Sequence, residues 1–310
     1  MHGDSLALRI GRNRLRILGY HAVCEDHLAE EKWVPPYFVT RSAFENQLIY
    51  LRQHTCVLPL REALSRWRSN DLPERCVAIT FDDGYANNLH FALPLLKKYD
   101  LPATIFLTTQ YVESGELFHY DRIQLLRWIE GSESDTEDFW LGYRSEPLNV
   151  VLERLEDRWR KVKDRVSPEQ HATLRPLRPS ELRDFDARLI DFGPHTDRHP
   201  ILRNESPTTR ETEIATSIKK VTQWTGRPTQ VFSYPNGDRG DFGEFDKQVL
   251  RSKGIEAAVT TIPGSNRLGC DPLELRRYSV GLHHSRSAFI AETTGFRTLL
   301  MSLAGKTQSS

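Results

Sequence analysis

CVAITFDDGY, residues 76–85, joins a short apolar, β-branched run to two adjacent carboxylates and a glycine. The run over residues 76–81 has the composition of a buried strand. Asp82 and Asp83 follow it directly, where successive side chains of an extended chain point in different directions. The two acids can therefore take different tasks, one holding a metal and the other acting on a water. Read alone, the stretch is equally an Asp-Gly turn, because both residue types favour turns for backbone reasons.

Strand and helix signals alternate on either side of it. LRILGY (15–20) reads as a first strand, and residues 42–53 carry Phe44, Leu48 and Leu51 at helical spacing behind a Ser42/Glu45 capping box. Residues 60–68 read as a short helix, residues 86–99 as a longer one, and ATIFLTT (103–109) as the next strand. Further strands fall near 188–192, 229–234 and 256–261, and helices near 209–225 and 245–253, with Gly254 at a helix C-cap. Such alternation implies an α/β protein with a parallel sheet covered by helices.

One stretch breaks the pattern, at about 113–185. It holds Glu130, Glu133, Asp135, Glu137 and Asp138 without a base among them, then Val151, Leu155, Trp159 and Val162 at helical spacing. It reads as a mostly helical insertion in a single domain spanning 1–310. Its expected character is a solvated surface elaboration, with a substrate lid or an oligomer contact as the other readings. The sequence carries no signal of oligomeric state.

Composition narrows the classes. The 310 residues balance 42 Lys+Arg against 42 Asp+Glu, which excludes a general nucleic-acid binder with a basic excess. No apolar run approaches the 18 or so residues of a spanning helix. The start, MHGDSLALRIGRNRLRIL, lacks a continuous secretory apolar region. Cys24, Cys56, Cys76 and Cys270 are far apart and read as reduced thiols. A cytoplasmic location is therefore expected. Arg9, Arg12, Arg14 and Arg16 could add a weak peripheral contact with anionic headgroups at the inner membrane surface.

Other short segments carry chemistry. GPHTDRHP (193–200) has His195 and His199 at H-x3-H spacing, that of a zinc pair. Pro194 and Pro200 favour a short turn over a long helix, and Thr196 stands where a zinc protease has its Glu. VFSYPNG (231–237) is another strand running into a turn. LGYHAV (18–23) places His21 at the end of the first strand, and RRYSVGLHHS (276–285) ends in His283 and His284. Phosphate-loop and nucleophile-elbow motifs are missing.

In this order, the segments resemble the polysaccharide deacetylase family, also called the NodB-homology family or carbohydrate esterase family 4. TFDDGY matches its first motif, HTDRHP its H-[ST]-x-x-H second motif, and FSYPNG falls where its third motif lies. The resemblance covers about 15–280 apart from the insertion. YHAV and AVTTIPGSN look most like the branch of poly-N-acetylglucosamine and exopolysaccharide deacetylases.

That resemblance implies a deformed (β/α) barrel with fewer than eight full strands. It implies one divalent ion, usually Zn2+, on Asp83, His195 and His199, with an open position for water. It implies Asp82 as general base and the Tyr234 backbone N–H as oxyanion donor. The substrate would be an N-acetylhexosamine in a glycan or a lipid-linked saccharide, losing acetate.

Two positions depart from the family pattern. Ser233 stands where the third motif has an Arg that orients the catalytic Asp. Arg276 or Arg277 could replace it in space, and Arg277 is the expected one. The family's fifth motif usually supplies, near the C-terminus, the acid His that protonates the leaving amine; the resemblance to the branch with the opening Y-H motif implies His21 in that role instead, kept protonated by a carboxylate neighbour, with His283 and His284 as bystanders. Trp33, Tyr37 and Phe38 could stack on a pyranose ring. A catalytically silent glycan-binding or scaffold barrel, and a hydrolase of a non-sugar amide, are the competing readings.

Overall fold

The computed structural model describes residues 13–131 and 141–294. Seven parallel strands form the sheet: β1 (Arg14–Tyr20), β2 (Cys76–Phe81), β3 (Ala103–Leu107), β4 (Ile190–Pro194), β5 (Val231–Ser233), β6 (Ala257–Pro263) and β7 (Leu275–Ser279). Their order is β4-β3-β2-β1-β7-β6-β5. Each strand thus lies beside its neighbour in sequence, and β7 returns to pair with β1.

The two ends of this path, β4 and β5, come together and nearly close a barrel. A Cβ on Gly193 would lie 2.6 Å from the Phe106 ring and 2.9 Å from the Val231 carbonyl oxygen. Only a residue without a side chain allows this approach. Just past the seam, His195 Nδ1 lies 2.8 Å from the Ser233 carbonyl oxygen.

Strand alternation sorts the core into two layers. Leu15, Ile17, Ala78, Phe106, Val231, Val259 and Leu275 fill the barrel. Leu18, Tyr20, Val77, Ile79, Ile105 and Phe192 face outward, against the covering helices. Helix α1 (Arg41–His54) covers this outer face through Phe44, Leu48 and Leu51. Helix α2 (Leu60–Arg68) plugs the amino-terminal end of the barrel with Leu60, Leu64 and Trp67.

Three local expectations are corrected. The first helix is capped by Thr40, whose Oγ1 accepts from Ala43 N, and not by Ser42 and Glu45. Ser42 N donates to Asp26 instead, and Glu45 takes Lys98 and Tyr99. The helix expected from residue 86 opens as a π-turn, Asn88–Ala92, before α3 (Leu93–Tyr99), whose Pro94 suits only a first turn. Arg14 and Arg16 are buried and cannot meet lipid headgroups. Arg9, Arg12, Glu133, Asp135, Glu137 and Asp138 lie outside the described residues. Among the described residues no helix is long and apolar enough to cross a membrane. Strand β7 has no counterpart among the strands read from sequence.

Between β3 and β4 run α4 (Thr109–Ser114), α5 (His119–Glu130), α6 (Leu148–Val162) and α7 (Pro168–Leu174). They share a core of Leu125, Leu126, Leu155, Trp159 and Leu174 that continues into Tyr85 and Phe118. Helix α8 (Pro207–Thr225) follows β4 and packs on it.

The tight β4–β5 seam predicts that Gly193→Ala overpacks it and costs about 1–3 kcal/mol of stability. Urea unfolding measures this, and an unshifted midpoint would show that the seam opens freely at Gly193.

Candidate active site

The carboxyl ends of the strands converge on a cleft of about 240 Å³, lined among others by His21, Asp82, Asp83, His195, His199 and Asn236. This is the end of a β/α barrel at which chemistry is expected. Strand pairing accounts for the convergence. β1 and β2 are in register at Tyr20 and Phe81, and Asp82 N donates to the Tyr20 carbonyl, so His21 and Asp82 emerge side by side.

Asp83 then leaves the sheet. Its φ of 70° lies in the left-handed region, which a non-glycine residue adopts at a cost. Thr196 and His199 share this conformation, at 62° and 65°. The turn between the histidines is held from several sides. Thr196 Oγ1 accepts from His199 N and donates to the His195 carbonyl. The buried Glu213 carboxylate of α8 accepts from the backbone N–H groups of Asp197 and Arg198.

Asp83 Oδ1 lies 3.5 Å from His195 Nε2 and 3.5 Å from His199 Nε2. Asp83, His195 and His199 are buried, with their ligand atoms within 4.8 Å of one another. Ligand bonds of roughly 2.0–2.2 Å in a tetrahedron place neighbouring donors roughly 3.3–3.6 Å apart. Asp83 Oδ1 is also buried without a hydrogen-bond partner. The donor set therefore fits a divalent ion. His195 Nδ1 is turned to the Ser233 carbonyl and His199 Nδ1 to the Tyr143 hydroxyl, 2.9 Å away. Both Nε2 atoms are thereby left for a metal, the usual outer arrangement around ligating imidazoles.

Arg277 grips Asp82 with two nitrogens, at 2.8 and 2.5 Å. It also donates to the Thr260 carbonyl and to Thr80 Oγ1. Ser233, at the place of the expected Arg, donates its hydroxyl to Asp82 Oδ1 at 3.1 Å. Burial works to raise both aspartates. Arg277 beside Asp82, and His195 with His199 beside Asp83, outweigh it, and both stay below the usual carboxylate range. Burial, reinforced by His195, takes His199 down to about 3, so the ring is neutral, the form that binds metal.

Other expectations are corrected. Burial outweighs Asp83 and Asp82 at His21 and lowers its pKa, where a carboxylate neighbour was expected to raise it. Tyr234 N–H is spent in the sheet, donating to the Val259 carbonyl. The Tyr234 side chain turns away, bonded to the Leu273 carbonyl and stacked on Phe242. Asn236, two residues further on, lines the cleft, and its N–H has no backbone acceptor among the described residues. Trp33 and Phe38 are core residues, and only Tyr37 of that trio reaches the cleft. His284 sits beside Glu292 and, like His283, lies outside the cleft.

The segment read as a solvated elaboration instead builds one wall. Tyr120 of α5 packs its ring 4.9 Å from that of His199. Tyr143 OH accepts from His199 Nδ1 and reaches the His199 carbonyl at 3.2 Å. Behind them Asp121 is fully buried and accepts from Tyr85 and Tyr37. Nothing in the spacing of these residues marks them. Their only sequence signal is that aromatic residues recur in an otherwise charged stretch.

Fold and cluster together define a nearly closed parallel α/β barrel with a buried carboxylate–bis-histidine site at its strand ends. The chain belongs to the polysaccharide deacetylase family, whose sequence profile matches residues 69–258. It is 23% identical to YxkH of Bacillus subtilis over 278 residues, 89% of this chain and 75% of that one. It is 32% identical over 125 residues to the poly-β-1,6-N-acetyl-D-glucosamine N-deacetylase of Staphylococcus aureus, a match spanning 37% of this chain and 43% of that enzyme. The deacetylase PplD of Streptococcus pyogenes, solved with acetate, has the same fold, with a TM-score of 0.65 at 20% identity over 90% of this chain and 98% of that one.

Because Tyr143 fixes the His199 ring, Tyr143→Phe is expected to weaken divalent-ion binding by about 10–100-fold. Chelator competition on the folded variant measures this. Unchanged affinity would show that the hydroxyl does not hold the ring.

Proposed function

We propose that the protein is a zinc-dependent de-N-acetylase acting on N-acetylhexosamine residues of a glycan or lipid-linked saccharide. The observation that carries this reading is the pairing of two sites 1 residue apart: Asp83, with its orphaned oxygen facing two histidines, and Asp82, locked by Arg277. The match to the staphylococcal enzyme makes β-1,6-linked N-acetylglucosamine the substrate of first choice.

Asp83, His195 and His199 would hold the ion. A bound divalent ion supplies Lewis-acid polarisation of the acetyl carbonyl and eases ionisation of water. Asp82 takes a proton from the attacking water as its oxygen bonds to the carbonyl carbon. Arg277 keeps that carboxylate ionised and fixes its orientation. Asn236 N–H donates to the oxygen that gains charge, a contribution of about 3 kcal/mol in comparable sites. His21, on the same cleft and neutral at rest, would pass the proton taken up by Asp82 to the amide nitrogen as the C–N bond breaks. Acetate and a free amine leave.

The test is acetate release from N-acetylglucosamine oligomers, abolished by chelation and restored by zinc. Asp82→Asn should retain the metal and lose roughly 10²–10⁴-fold in kcat, whereas Asp83→Asn should lose the metal. His21→Ala should also keep the metal and lose roughly 10²–10⁴-fold. Equal metal loss in the two aspartate variants would show that their roles are misassigned, and full activity in His21→Ala would remove it as the acid.

A further inference from the structure

A second hollow adjoins the cleft. It measures about 650 Å³, against about 240 Å³ for the cleft itself. The rim between them is the chain at Pro36 and Tyr37: Pro36 lines the hollow, and the next residue lines the cleft. Leu282 N donates to the Pro36 carbonyl and ties this rim to the stretch after β7.

One helix runs from cleft to hollow. Tyr120, Gln124 and Trp128 lie on three successive turns of α5. Tyr120 lines the cleft, while Gln124 and Trp128 line the hollow. At 1.5 Å per residue, Tyr120 and Trp128 are separated by about 12 Å along the axis. Gln124 donates to the Lys32 carbonyl and ties α5 to the chain before Pro36. Trp128 is 45% exposed, unusual for so large an apolar side chain on this molecule. Glu30 and Glu31 balance Lys32 and Arg127 in the same lining, which also includes His283.

An exposed indole ringed by donors and acceptors of balanced charge suits a neutral, hydroxyl-rich ring with one apolar face. It does not suit a polyanion. We propose that this hollow is a subsite for a sugar of the same glycan chain, about 12 Å along α5 from the residue being deacetylated. The inference rests on the de-N-acetylase reading above. It makes the enzyme one that prefers chains to short saccharides, with Trp128 as a specificity-determining residue outside the reacting centre.

The test compares wild type, Trp128→Ala and Trp128→Tyr on the β-1,6-linked N-acetylglucosamine dimer and hexamer. In wild type, kcat/KM should rise from dimer to hexamer. Trp128→Ala should lose about tenfold on the hexamer and stay within about twofold of wild type on the dimer. Trp128→Tyr, which keeps an aromatic face, should recover most of the loss. At an exposed position all three proteins should unfold at similar temperatures. Equal hexamer activity in all three, or equal losses on dimer and hexamer, would overturn the subsite while leaving the deacetylase reading intact. Wild type inactive on both oligomers would instead overturn the deacetylase reading, and the subsite with it.

Discussion

The ion pair of Arg277 with Asp82 ties the barrel together at its working end. Both side chains are almost fully buried, at 1% and 2% exposure. A buried charge without its partner costs several kcal/mol, and even a paired one must have its remaining hydrogen-bonding groups met. Here they are. Arg277 on β7 reaches Thr80 of β2 and the Thr260 carbonyl of β6, and Ser233 of β5 adds its hydroxyl to Asp82. Thr80 in turn donates to the Leu18 carbonyl of β1. Five strands therefore contribute to one polar knot above an apolar barrel.

That knot separates the tasks of two adjacent residues. Asp82 remains in line with the sheet, its N–H bonded to β1 and both oxygens directed at Arg277. Asp83 turns out through a left-handed backbone conformation toward the histidines. The strain at Asp83, Thr196 and His199 is confined to the site. It is offset by the hydrogen bonds of Thr196 and Glu213 and by the close β4–β5 seam. The same seam brings the Ser233 carbonyl to His195 Nδ1, so closing the barrel also orients a ligand.

Much of this was legible in the sequence because it is written in short, local patterns. An apolar run ending in Asp-Asp, and a His pair between prolines, mark strand ends whatever the wider fold. Arg277 was reachable only through the family resemblance, which sets Ser233 at the place of an Arg that orients the catalytic Asp. What failed depended on hydrogen-bond register or on distant packing. Tyr234 looked available as a donor, but whether its N–H faces the cleft or β6 is set by where the strand ends, and the ladder extends one residue past Ser233. Strand β7 was hidden because Arg276 and Arg277 interrupt its apolar pattern, and Arg277 is buried there only through its pairing with Asp82. Tyr120 and Tyr143 were hidden because the charges around them, which do face solvent, dominated the reading of the segment.

The division between barrel and helical segment bears on how substrate choice is built. The charged groups assigned to the chemistry come from the strands or from the turns that leave them, and hydrogen bonds of the sheet and of Thr196 and Glu213 fix their positions. The wall opposite is aromatic and comes from the segment between β3 and β4, where Tyr120 and Tyr143 touch His199 from outside the barrel. On the proposed reading, a glycan ring would meet this wall without touching the Arg277–Asp82 knot. On that reading, changes in α5 beyond Tyr120, which packs on His199, could vary how the saccharide is held while Asp82, Asp83 and their partners stay fixed. The reverse does not hold: a change in the knot leaves a buried charge unmatched and disturbs five strands together. On the proposed reading, selectivity lies with the positions of the segment that leave His199 untouched, and the chemistry with the knot and with the histidine that Tyr120 and Tyr143 help to hold.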